Sequence, residues 1–173
     1  MPVPQKLIKF LDKNKVKYEI IKHRTVYTAF DKAATLRVTP KIIGKTLVIK
    51  LEKSPALVLI PANKNLDKQR LKKIAKAKNI DFIKEAWMKK NLKGIKIGAV
   101  PPFGNLWKSC PKAARGAGCR LPTFADKGLF RNQKIIINGG DYTFSIKIKA
   151  GDMKKLIPDL VMGNFSKSRR QRG

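Results

Sequence analysis

Apolar residues along this chain change spacing several times, and each change predicts an element. Leu7, Phe10 and Leu11, within Lys6 to Lys13, lie three and four residues apart and predict a helix with one inward stripe. VKYEIIK (Val16 to Lys22) reads as a strand. In TAFDKAATL, Thr28 is placed to cap a helix on which Ala29, Ala33 and Leu36 share a face, with Asp31 near the N-terminal turn. KTLVIKLE (Lys45 to Glu52) and PALVLIP (Pro55 to Pro61) are near-continuous apolar runs joined by a short polar link, which predicts a central hairpin. NLDKQRLKKIAKAK (Asn65 to Lys78) returns to helical spacing with Leu71, Ile74 and Ala75 inward, and EAWMKKNL (Glu85 to Leu92) is a second short helix. IIINGGDYTFSIKIK carries Asn-Gly-Gly-Asp between two β-runs, a strong hairpin signature. Tyr142, Phe144, Ile146 and Ile148 then face one side, and Thr143, Ser145, Lys147 and Lys149 the other. GDMKKLI predicts a closing helix, and residues 105–120 read as loop.

Strands and helices are mixed, and both hairpins demand antiparallel pairing. The pattern therefore predicts an α+β (mixed α/β) fold, with one mainly antiparallel sheet flanked by helices. A single domain over residues 1–163 and a basic flexible C-terminal tail over 164–173 are expected.

Composition changes this picture mainly through charge. The 173 residues include 40 Lys and Arg against 11 Asp and Glu, a net charge of +29. That excess implies a polyanionic partner, nucleic acid first and an anionic membrane surface second. The helix over 65–78 carries much of it, with Lys64, Lys68, Arg70, Lys72, Lys73, Lys76 and Lys78 crowding its outer face. No apolar run reaches the 18 or so residues of a membrane span, and MPVPQKLIKFLDKNK turns polar too early for a signal peptide. Cys110 and Cys119 lack metal-ligand spacing and read as free thiols in a reduced cytoplasmic setting, with one disulfide left open.

Familiar catalytic signatures are missing. One histidine, His23, reads as a structural residue after a strand. There is no HExxH, no phosphate-binding GxxxxGK[ST] loop and no GxGxxG. No metal and no cofactor is expected. What remains is chemistry of low intrinsic barrier, assisted by positioning and a preorganised positive field; hydrolysis of an aminoacyl ester is of that kind. The stretch GAVPPFG (Gly98 to Gly104) is a rigid, donor-poor bend between glycines. It is either a surface turn or the wall of a pocket that a ligand approaches closely.

VKYEIIKHRTVYTAFDKAA, IGKTLVIK, LVLIPANKNLD, GIKIGAVPPFG, TFADKGLF and INGGDYTFSIKI, in that order, resemble the YbaK/prolyl-tRNA-synthetase-associated domain family, over about Leu7 to Leu160. The resemblance implies a metal-independent aminoacyl-tRNA deacylase that hydrolyses mischarged tRNA, and a cytoplasmic setting. It implies mischarged aminoacyl-tRNA as the partner, with an aminoacyl-tRNA synthetase as a further candidate and no membrane. Lys45 falls on the family's key lysine. The family's pocket loop falls on Gly98, Pro101, Pro102, Phe103 and Gly104, and its facing turn on Gly139, Gly140 and Asp141. Tyr27 and Thr28 fall at the pocket mouth, although Thr28 serves equally as a helix cap. Lys68, Arg70, Lys72, Lys73 and Lys76 are the candidate tRNA contacts. The segment NLWKSCPKAARGAGCR is longer and more basic than its family counterpart. A non-catalytic RNA-binding protein on the same fold is the alternative.

Overall fold

Val3 extends the inward stripe of Leu7 and Leu11 at four-residue spacing, so the first helix, α1, runs Val3–Lys13 in the computed structural model, which describes residues 3–92, 94, 96–106 and 121–168. After strand β1 (Tyr18–Lys22) comes helix α2 (Ala29–Leu36), capped by Thr28, whose hydroxyl accepts from the Asp31 N–H. Arg37 ends α2 in the left-handed region. Strands β2 (Gly44–Leu51) and β3 (Ser54–Pro61) pair along their full length from Gly44 opposite Pro61 to Leu51 opposite Ser54, as the apolar runs predict.

The predicted helix over 65–78 is shorter than its apolar spacing suggests. Lys64–Leu66 is a strand, β4, and helix α3 occupies only Lys68–Ala75. Two local reasons explain the split. The Asp67 carboxylate caps the Arg70 N–H and sets the helix start, and Leu66 and Asn65 pair with a strand from the far end of the chain. Strand β5 (Ile80–Phe82) and helix α4 (Glu85–Asn91) follow. Beyond the 98–104 bend come β6 (Thr123–Asp126), β7 (Lys134–Asn138), β8 (Phe144–Lys149), helix α5 (Asp152–Leu156), β9 (Val161–Gly163) and β10 (Ser166–Ser168).

The strands form three ladders rather than the single sheet expected. One has the order β5-β2-β3-β6-β9, a second β1-β8-β7, and β10 pairs with β4. Pairing is antiparallel except for β3-β6 and β6-β9, which run parallel. The main core lies between the two larger sheets. Val48, Leu57 and Leu59 from one meet Ile135, Ile137, Ile146 and Ile148 from the other, with α1, Phe103 and Met153 completing the packing. The opposite face of the five-stranded sheet packs Ile49, Val58 and Ile60 against Leu71 and Phe165. A small third cluster seats Ala33 of α2 on Ile43, Ala62 and Ile136.

Residues 164–168, expected to lie within a flexible tail, are held against the rest of the fold. Phe165 is fully buried, and Ser166–Ser168 form β10 against β4. The buried carboxylate of Asp126 explains why this end is held. One oxygen accepts from the Phe165 and Ser166 N–H groups at 3.0 and 2.9 Å, and the other from Gly128 at 2.8 Å. Residues 169–173 lie outside the described residues.

Asp126→Ala leaves buried donors unpaired. It is expected to cost roughly 3 kcal/mol and to expose the C-terminal strand first, checked by urea unfolding and by hydrogen exchange at Phe165 and Ser166.

Candidate active site

The Gly98–Gly104 bend and the two residues before it are fastened to the β7–β8 hairpin by three side-chain ties. The Tyr142 hydroxyl donates to the Ile97 carbonyl at 2.6 Å, the Asn138 amide donates to the Val100 carbonyl at 3.1 Å, and the Lys96 ammonium meets the Asp141 carboxylate at 2.6 Å. That contact with Lys96, with help from Thr143, holds the Asp141 carboxyl below the ordinary carboxylate range. Gly98 sits at φ +86°, and a Cβ there would lie 2.7 Å from the Tyr27 carbonyl. The same tyrosine ring meets Tyr142 edge-on, with centroids 4.9 Å apart. Tyr27, Gly98, Asp141 and Tyr142 are thereby gathered in one place.

Other members of the predicted set have plainer duties. Phe103 is fully buried against Phe10, and Pro101 and Pro102 are buried beside it. Gly104 lies against the Leu121 backbone, where a side chain does not fit. Gly139 is covered by the Phe144 ring, and Gly140, at φ +90°, abuts Val3 and Pro4. Thr28 is occupied as the α2 cap. These glycines and prolines keep backbone segments close together, so the bend is a rigid wall whose outward-facing chemistry is carried by its neighbours.

The chemistry concentrates on one face. The β7–β8 register sets Asn138 opposite Ser145, so both point to the side on which α2 lies. The Ser145 hydroxyl is 2.9 Å from His23 Nε2, while His23 Nδ1 is 2.8 Å from the Arg24 carbonyl. A carbonyl only accepts, so Nδ1 carries the proton and, in the neutral ring, Nε2 accepts from Ser145. Asn138 Oδ1 in turn accepts from the Lys32 ammonium at 2.6 Å. Lys32 is only 5% exposed, and among the described residues no carboxylate touches it. Burial pushes its amine down to about 8. A row of His23, Ser145, Asn138 and Lys32 thus crosses the sheet under α2.

Lys45 joins this row through the backbone. Ile43 forms a parallel bridge with Ile136, and Lys45 and Asn138 each lie two residues further along their own strands. Lys45 is half-buried and shares the face of Ile43 and Ile60, whereas Thr46, whose hydroxyl is buried without a partner among the described residues, points to the opposite core. The β2 edge opposite β3 pairs with β5 at Ile49–Leu51 and bridges β7 at Ile43. Lys45 occupies the interval, where the two larger sheets part.

Lys32 escaped the sequence reading, although a signal was present. Ala29, Lys32, Ala33 and Leu36 fall at i, i+3, i+4 and i+7, so the lysine lies on the inward stripe of α2. The proposed RNA contacts lie on α3 and its C-cap, Lys76: Arg70, Lys73 and Lys76 are exposed, and Lys68 and Lys72 half-buried. This helix packs on the same sheet face that Lys45 shares. Cys110 and Cys119 lie outside the described residues. Among the described residues no three His, Cys, Asp or Glu side chains converge as metal ligands, and no helix is long and apolar enough to cross a membrane.

Among solved structures, the chain is similar to the hypothetical protein APE2540, at a TM-score of 0.77 and 18% identity, covering 94% of this chain and 99% of that one. It is similar also to a candidate trans-editing enzyme for prolyl tRNA synthetase, at a TM-score of 0.76 and 17% identity, covering 97% and 99%. At such identities these matches establish the shared mixed α+β fold. The model of the aminoacyl-tRNA editing domain family matches residues 23–156, which contain Lys32, Lys45, the 98–104 bend and Asn138. This chain belongs to the aminoacyl-tRNA editing domain family.

Proposed function

We propose that this protein hydrolyses the ester that joins a wrong amino acid to tRNA, acting in trans on the free mischarged tRNA. The observation that supports the reading is the chain from Lys32 through Asn138 to the Val100 carbonyl, which ties α2 and β7 to the proline bend, with Lys45 on the strand that follows the Ile43–Ile136 bridge. An aminoacyl ester is already activated. Its hydrolysis needs a positioned water and stabilisation of the oxygen that gains negative charge in the tetrahedral intermediate, and it does not need a protein nucleophile. Lys45 is the residue assigned to that charge, through its ammonium. Water adds to the acyl carbon, the intermediate collapses, the ribose oxygen leaves with a proton, and the free amino acid and tRNA depart. The buried bend and turn limit the size of the acyl group admitted, a discrimination worth roughly 1–3 kcal/mol for each methylene. A net charge of +29 supplies the long-range attraction for the tRNA backbone.

Lys32 is a positioning residue in this scheme. Its ammonium holds Asn138 Oδ1, so the Asn138 N–H₂ is directed at the Val100 carbonyl and the bend keeps its place. The cost is a charge taken out of water without an ionic partner among the described residues.

Lys45→Ala is expected to bind tRNA within a few-fold of wild type while losing about 100-fold or more in deacylation. The check is a panel of alanyl-, cysteinyl- and seryl-charged tRNAs under single-turnover conditions. Wild-type turnover by the variant removes Lys45 from the chemistry, and binding without turnover by the unmodified protein on every member removes the deacylase reading. A second expectation concerns pH. An amine at 10.5 in the unfolded chain and about 8 in the folded one leaves the unfolded state holding more protons between those values. Stability therefore rises as pH climbs from about 8 towards 10.5, and Lys32 contributes no slope below 8. The full span is about 3 kcal/mol. Lys32→Met abolishes this rise, measured by urea midpoints on either side of the window.

A further inference from the structure

The outer edge of the five-stranded sheet carries a groove of about 430 Å³, lined among others by Lys50, Lys53, Asp81, Phe82, Lys84 and Trp87. Its size lies within the roughly 300–1,000 Å³ range of sites that take small organic ligands. Phe82 is 54% exposed, unusual for a phenylalanine on a sheet, and the Lys68 ammonium stands 4.7 Å from the centre of its ring. Three lysines line the groove and a fourth stands over the aromatic, against a single carboxylate, that of Asp81.

We propose that this groove binds unpaired nucleotides of RNA, with a base stacked on Phe82 and the flanking phosphates met by Lys50, Lys53 and Lys84. Charge selects the class of partner: cations around a half-exposed aromatic ring, one of them over the ring itself, fit a strand that alternates flat apolar rings with phosphates. Shape separates RNA from an anionic bilayer, because the aromatic lines a concavity and does not stand out as a wedge for insertion. β5 is the edge strand of its sheet and only three residues long, so a single strand lies along it without displacing an existing ladder. The register places Phe82 beside Ile49 and four residues from Lys45 along β2, on the same sheet face. That path is about 13 Å at strand rise, so one RNA can occupy both places. The inference takes from the proposed function only the choice of tRNA as one probe. It concerns binding and requires no ester.

The test is fluorescence anisotropy of the full chain with three unacylated probes: a tRNA, a single-stranded RNA and a duplex RNA of matched charge, each over a range of salt. Phe82→Ala is expected to weaken single-strand binding roughly tenfold with the salt slope unchanged, and to leave duplex binding within twofold. Phe82→Trp should bind at least as tightly as wild type, and Phe82→Leu, which keeps an apolar residue at the edge, should behave as Phe82→Ala. Lys84→Gln should instead lower the slope of log K against log salt by about 0.7. Wild-type single-strand affinity in both Phe82→Ala and Phe82→Leu, with both folded by circular dichroism, overturns the proposal. Equal loss on duplex and single strand overturns it too, as does Phe82-dependent binding to phosphatidylserine vesicles that single-stranded RNA does not compete away. Because no probe carries an aminoacyl group, these outcomes stand apart from the deacylation panel: a lost groove leaves the ester chemistry intact, and an inactive editing face leaves the groove intact.

Discussion

The amide of Asn138 accepts from Lys32 on one side and donates to Val100 on the other, and the editing face depends on that double use. It links α2, the end of β7 and the proline bend, three segments with no covalent proximity. Only a side chain with an acceptor and a donor on one rigid plane does this; an aspartate would lose the donor, and an apolar residue would lose both. Burial raises the stakes, since each group left unpaired in this low-dielectric setting costs more than its bond contributes when made. The surrounding ties add rigidity without adding charge at the face itself: Tyr142 reaches the Ile97 carbonyl, and the Lys96–Asp141 pair closes the outer rim.

The same logic separates two populations of lysine. Most of the basic residues stand in solvent, where their mutual repulsion is relieved by salt and, on the present reading, by RNA. Lys32 is the opposite case. Its charge has been withdrawn from water into a space framed by a neutral amide, and burial weakens its hold on the proton. Lys45, half-buried where the sheets part, is intermediate between the two.

How much of this was legible from the residues depended on whether the decisive contact was local. The β2–β3 and β7–β8 hairpins were visible because alternation and the Asn-Gly-Gly turn lie within a few residues of each other. The Thr28 cap was visible for the same reason. β4 was not, because Asn65 and Leu66 become a strand only by pairing with Ser166 and Lys167 from the far end of the chain. The parallel strands β6 and β9 are four and three residues long, too short to show a period. At the candidate site, Lys45 stood out only through resemblance, since a lysine opening an apolar strand has no local signature. Lys32 did have one, its phase on α2, but a charged residue between Asp31 and Ala33 reads as solvated until the Asn138 contact is known. Phe82 carried no signal of its own, because nothing in IDFIK announces that β5 is an edge.

Strand β1 joins its sheet only through β8, with Tyr18 opposite Ile148 and Lys22 opposite Phe144. During synthesis this segment emerges well before its partner, so this sheet closes only after β8 has been made. In that interval Ile20 and Ile21 form an adhesive pair on a nascent chain, and Lys17, Glu19 and Lys22 act as charged guards against premature association.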